Sequence, residues 1–123
     1  MTQDFSNQFQ AIKQSLQTKN LTAAMENISA LKAVELPVAL RIELLYLSAV
    51  TQRLANQFDQ ALQELGELLH LRPEHGRAYQ EQAYNFLALD QQDKAASAFF
   101  RATHYNPALI TSWKQLLKIY QQH

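Results

Sequence analysis

The sequence predicts an all-α chain in which antiparallel helix pairs stack as a solenoid, and three observations carry that prediction. Only two glycines and three prolines punctuate 123 residues rich in Ala, Leu, Gln, Glu and Lys, so helix propensity is high nearly throughout. Strand-like alternation is nowhere sustained. Pro73 and Pro107 lie 34 residues apart, and a set of other positions obeys the same shift.

Apolar spacing places seven helices. Phe5, Phe9, Ile12 and Leu16 recur at helical intervals and predict a first helix from about Asp4 to Gln17, with Asp4 or Ser6 as N-cap. The polar stretch Thr18, Lys19, Asn20 closes it. Leu21, Ala24, Met25, Ile28 and Leu31 give a second helix that ends before Pro37, with Lys32 at its solvated edge. Pro37 is expected in the first turn of the third, where its missing N–H costs little. That third helix runs to about Ala55 and is apolar on most sides through Leu40, Ile42, Leu44, Leu45, Tyr46, Leu47, Ala49, Val50 and Leu54, so it should be central.

After a turn at Asn56 and Gln57, the residues Phe58, Ala61, Leu62, Leu65, Leu68 and Leu69 predict a fourth helix that stops near Arg72 and Pro73. The pattern then restarts. Tyr79, Ala83, Phe86 and Leu87 mark a fifth helix, Asp90 and Gln91 turn, and Ala95, Phe99 and Ala102 mark a sixth. Pro107 is expected to open a seventh. Its Leu109, Trp113, Leu116, Leu117 and Tyr120 should be buried against the sixth helix around Ala96, Phe99 and Phe100. Thr111, Lys114, Gln115, Lys118 and Gln122 make the polar stripe of a solvated cap.

The shift of 34 pairs Ala49 with Ala83, Gln57 with Gln91, Asp59 with Asp93, Ala61 with Ala95 and His70 with His104. Leu45 with Tyr79, Leu65 with Phe99 and Leu68 with Ala102 are looser matches. Small residues fall where paired helices must approach closely, and large ones fill the space beside them. In these positions the chain resembles the tetratricopeptide repeat family, whose pattern is W-x2-L-G-x2-Y, then A-x3-F, then P. Tyr79-x2-Gln82-Ala83-x2-Phe86, Ala95-x3-Phe99 and Pro107 follow it. So do Leu45-x2-Ser48-Ala49-x2-Gln52, Ala61-x3-Leu65 and Pro73, with Ser48 and Gln52 as departures. Ala24-x3-Ile28 and Pro37 trace an earlier repeat with one extra residue, and Trp113-x2-Leu116-Leu117-x2-Tyr120 restarts the motif. The expected organisation is a single domain over 1–123, with repeats at about 4–36, 37–72 and 73–106 and a capping helix at 107–121.

Eleven basic residues balance eleven acidic ones. Zero net charge argues against nucleic acid or an acidic membrane as an obligatory partner, because both demand a surplus of Lys and Arg. The chain has no cysteine, which removes thiolate zinc sites, thiol catalysis and disulfides. Residues Met1 to Phe5 lack a basic start followed by an apolar run, and charges at Arg41, Glu43 and Arg53 interrupt the best apolar stretch, so a cytoplasmic chain is expected.

Few groups with catalytic chemistry converge. Glu67-x-x-His70 is half of a di-iron motif, but Arg101 stands where a second acid would precede His104. His70 and His104 read as helix C-terminal residues facing the dipole, His75 beside His70 as a candidate additional ligand, and His123 as a frayed end. No metal or other cofactor is expected. No G-x-S-x-G and no Gly-rich phosphate loop is present. Gly66 reads as a close helix contact and Gly76 as a junction residue. Phe5, Phe9, Phe58, Tyr79, Phe86, Phe99 and Trp113 fall at core positions.

The resemblance implies a concave face lined by the first helix of each pair. The matching residues are Glu43, Tyr46, Val50 and Arg53, then Arg77, Gln80, Glu81 and Tyr84, then Thr111, Lys114 and Lys118. Some family members hold a C-terminal carboxylate with Lys, Asn and Arg in this groove; Glu43, Leu47 and Glu81 at or beside those places argue against that activity here. The lining becomes basic toward Lys114 and Lys118, which suits an acidic peptide. The expected function is a non-catalytic protein-interaction module. A second reading comes from Gly76 to Glu81, Asn106 to Leu109 and Ser112 to Lys114, which resemble repeats preceding a sulfotransferase domain in some bacterial proteins. Self-association through the apolar array ends is a third, without a sequence signature.

Overall fold

A computed structural model describes residues 4–122, and seven helices with no strand occur among them. They are α1 (Ser6–Gln17), α2 (Leu21–Lys32), α3 (Val38–Leu54), α4 (Phe58–Leu71), α5 (Gly76–Ala88), α6 (Gln92–Tyr105) and α7 (Ile110–Gln121). The expectation for His123 lies outside the described residues. Helices pack in adjacent pairs, α1 with α2, α3 with α4 and α5 with α6, and each pair also touches the next. This is a tetratricopeptide-like helical solenoid.

The turns within pairs share one construction. Lys19, Asn56 and Asp90 adopt positive φ of 60°, 63° and 57°. The next residue in each case donates its N–H five residues back, Asn20 to Ser15, Gln57 to Gln52 and Gln91 to Phe86, all at 2.8 Å. These are Schellman closures, which satisfy the carbonyls left open at a helix end and reverse the chain. Asn20 then caps α2 by accepting the Ala23 N–H at 3.2 Å.

Three helix starts differ from expectation. Asp4 accepts the Ser6 N–H at 2.8 Å, but the cap position is Phe5, so α1 begins at Ser6 rather than Asp4. Pro37 stands at the cap of α3, one residue before its first turn, with φ −55° and ψ 152°. Pro73 and Pro107 instead lie in the linkers, each three residues ahead of its helix, so Pro107 precedes α7 rather than opening it. α3 accordingly gains an extra turn at its start and reaches 17 residues against 13 in α5.

Apolar burial forms three clusters strung along the chain. Phe5, Phe9, Ile12, Ile28, Leu31, Leu44 and Leu47 join α1, α2 and α3. Ile42, Leu45, Ala49, Ala61, Leu65, Leu68 and Ala78 join α3, α4 and α5. Ala83, Ala95, Ala98, Phe99, Leu116 and Ile119 join α5, α6 and α7. The central place of α3 follows, since it alone touches α1, α2, α4 and α5.

The packing face of α7 is not the expected one. Leu116 is buried with Ser112 and Ile119, whereas Trp113, Leu117 and Tyr120 are exposed. The 34-residue shift relates Trp113, Leu117 and Tyr120 to Tyr79, Ala83 and Phe86, which lie on the side of α5 that meets α6, and no helix follows α7 among the described residues. Phe58 and Phe86 are half-buried rather than core. Gly66 also differs: a methyl group there would meet no atom within 4 Å, so no close contact requires glycine. At Gly76 the close approach is real, because a Cβ would lie 2.8 Å from Asn106 Cβ at the end of α6.

Candidate peptide-binding groove

Successive first helices are tied side by side by three polar rungs. Lys13 on α1 pairs with Glu43 on α3, Nζ to Oε1 at 2.9 Å. Arg53 on α3 donates from Nε to Glu81 Oε1 on α5 at 2.7 Å, with Nη2 to Oε2 at 3.4 Å. Gln80 on α5 donates from Nε2 to Ser112 Oγ on α7 at 2.8 Å. The predicted lining residues on these helices therefore differ in availability. Glu43, Arg53, Glu81 and Gln80 already have partners within the chain.

Glu81 is buried to 4% exposure against the Arg53 guanidinium, which also lies 5.0 Å over the Tyr84 ring. Tyr84 meets Phe99 edge-on at 5.8 Å between centroids. Its phenol is held above the ordinary range by burial first and then by the Glu81 carboxylate, with Arg53 opposing. Tyr46 is half-buried and stacks on His75 at 5.7 Å. Burial raises its phenol as well, Glu81 adds to this, and Arg77 and Arg53 oppose it. Val50 is half-buried on the same helix.

At the C-terminal end the balance changes. Arg77, Lys114 and Lys118 are exposed, and none forms an ion pair among the described residues. Arg77 borders an open cavity of about 330 Å³ together with Tyr46, Gln80, Leu109, Ile110 and Thr111. A guanidinium, a phenol, an amide and a hydroxyl thus line one recess between α3, α5 and the start of α7. Such a set can bind a carboxylate by charge and by hydrogen bonds at once. A larger open recess of about 620 Å³ lies at the other end of Arg53 and Tyr84, beside Leu54, Asn56 and Phe58.

The remaining chemical candidates have structural roles. Glu67 pairs with Arg41 Nη2 at 3.2 Å, and among the described residues no three His, Asp or Glu side chains gather as a metal site. His70 and His104 stand in the last turns of α4 and α6. His75 caps α5, its Nδ1 accepting the Ala78 N–H at 3.1 Å. The sequence reading missed this role, because histidine is an uncommon cap; its place just ahead of Gly76 was the available signal. The Arg53 to Glu81 pair was missed too, since the two residues stand at different repeat positions.

The fold is similar to that in the crystal structure of MamA, a tetratricopeptide-repeat protein, with a TM-score of 0.81 over 97% of this chain and 68% of that one, at 14% identity. No protein-family model and no curated protein matches the sequence. Among the described residues, no helix is long and apolar enough to cross a membrane.

Proposed function

We propose that this chain is a non-catalytic protein-interaction module that seats an acidic peptide segment along α3, α5 and α7. The observation that carries the reading is the uneven pairing of charge. Among the described residues, Lys13 and Arg53 are matched by carboxylates, while Arg77, Lys114 and Lys118 are not. Hydrated cations on adjacent helices attract a carboxylate at little desolvation cost, and the recess beside Arg77 offers Tyr46 and Thr111 as further donors. The aromatic pair Tyr46 and Tyr84 supplies apolar area further along the same helices.

Titration with an extended acidic peptide tests this directly. Affinity should fall with rising salt, because exposed charges are screened over about 8 to 10 Å near physiological ionic strength. Changing Arg77, Lys114 and Lys118 together to Glu should weaken binding on the order of tenfold or more, given about 0.2 to 1 kcal/mol per exposed pair lost plus the new repulsion. Affinity indifferent to both changes would defeat the reading and move the site toward Tyr46 and Val50.

A further inference from the structure

α7 carries a second surface beside its groove-lining face. Ile110, Trp113, Leu117 and Tyr120 recur at the spacing that aligns side chains along a helix, and they are 64%, 44%, 58% and 56% exposed. A continuous apolar stripe of this kind marks an interaction surface more than solvated decoration. The chain itself contains the occupied counterpart. The 34-residue shift relates Trp113, Leu117 and Tyr120 to Tyr79, Ala83 and Phe86 on α5, and there α6 covers the face. Ala83 lies in one cluster with Ala95, Ala98 and Phe99, and Tyr79 stacks on Tyr105 at 5.6 Å. Even the anchoring is repeated: Tyr79 Oη donates to the Pro73 carbonyl at 2.9 Å, and Trp113 Nε1 donates to the Pro107 carbonyl at 3.1 Å. The indole is tethered as its covered counterpart is, with its other contacts open.

We propose that this stripe docks one amphipathic helix of a partner protein, with a seam of alternating small and bulky apolar residues and a carboxylate-bearing edge. The seam follows from the α5–α6 contact, in which Ala95 and Phe99 meet Ala83. The acidic edge follows from Lys114 and Lys118, each one residue on from Trp113 and Leu117, which border the stripe on the side away from Ser112, Leu116 and Ile119. A second copy paired symmetrically through the same stripe would bring these lysines toward their own counterparts, so charge disfavours that occupant. The proposal shares Lys114 and Lys118 with the groove reading but is separable from it, because Leu117 belongs to the stripe alone and Arg77 to the recess alone.

Trp113 is the only tryptophan in the chain, so its emission reports on the stripe directly. The probe is a synthetic helical peptide of about four turns, free of Trp and Tyr, with an Ala and Leu seam and Glu along one edge. Saturable blue-shifted emission is expected, with roughly tenfold weaker binding when the edge carries Lys instead. Leu117→Glu should abolish the shift while leaving the circular dichroism spectrum and melting midpoint unchanged, since Leu117 is exposed. Arg77→Glu should leave it intact. The proposal fails if no saturable shift occurs or if both peptides bind equally. It also fails if sedimentation shows a dimer that Leu117→Glu dissociates, which would assign the stripe to a second copy.

Discussion

Arg53 and Glu81 meet across the α3–α5 step with the carboxylate almost wholly buried and the guanidinium only partly so. The pair fixes one first helix against the next, and it withdraws both charges from any ligand in the groove. Removing one partner should be far more damaging than removing both. Arg53→Met strands a buried carboxylate and should cost about 3 to 5 kcal/mol. The double replacement by Arg53→Met and Glu81→Met should cost much less. Urea denaturation of the two single variants and the double variant gives the coupling; additive losses would show that the ion pair is not the operative contact.

Phe99 is fully buried at the seam of α5, α6 and α7. Phe99→Ala should cost about 3 to 5 kcal/mol and Ala95→Leu about 1 to 3, the first by leaving a cavity and the second by overfilling one. Tyr84→Ala should rank below Phe99→Ala, because Tyr84 is only half-buried. A thermal melt that ranks Tyr84→Ala as most damaging would contradict the packing described.

The two glycines should respond in opposite directions. Gly66→Ala replaces an exposed helical glycine with open space around it and should stabilise by up to about 1 kcal/mol. Gly76→Ala drives a methyl group into Asn106 at the α6 terminus and should destabilise by about 1 to 3 kcal/mol. Parallel melts decide; stabilisation at both sites would mean that the α5–α6 contact yields freely.

Acid should weaken the start of α5. Burial chiefly, with Arg72 and Arg77 assisting, holds the His75 imidazole below its ordinary value of 6.5, while its own backbone hydrogen bond and Glu74 oppose. The unfolded chain then binds this proton more readily than the folded one. Its contribution is therefore complete above pH 6.5 and is lost as pH falls through the folded value, when Nδ1 can no longer accept the Ala78 N–H. His75→Asn keeps a capping acceptor without the titration. Denaturation midpoints at several pH values below 7 should fall less steeply for His75→Asn than for the parent; identical slopes would remove His75 from the account.

The helix order and the 34-residue shift were legible because they depend on local propensity and on residues such as Ala61, Ala95, Leu65 and Phe99, which face the core in every pair. The face of α7 was not. Trp113, Leu117 and Tyr120 read as core against α6 because they share helical spacing with Leu116, and periodicity alone cannot say which side of an apolar arc meets the neighbouring helix. Gly66 was misread for a related reason: a glycine within a helix signals either close approach or nothing, and only the neighbouring backbone decides. In the groove, the positions were legible but their availability was not, since pairing of Lys13 with Glu43 and Arg53 with Glu81 depends on distances between helices. The likeness to segments preceding sulfotransferases gains no support from the comparisons.

The three apolar clusters share helices but no buried residue, so the first and third communicate only through α3 and α5. Such a chain of linked neighbours loosens link by link instead of melting at one stroke. A peptide lying across α3, α5 and α7 would rivet the second link to the third and leave the first untouched. Amide exchange would then slow from α3 onward while α1 and α2 kept their own pace, and the ligand would write its position into the order in which the helices open.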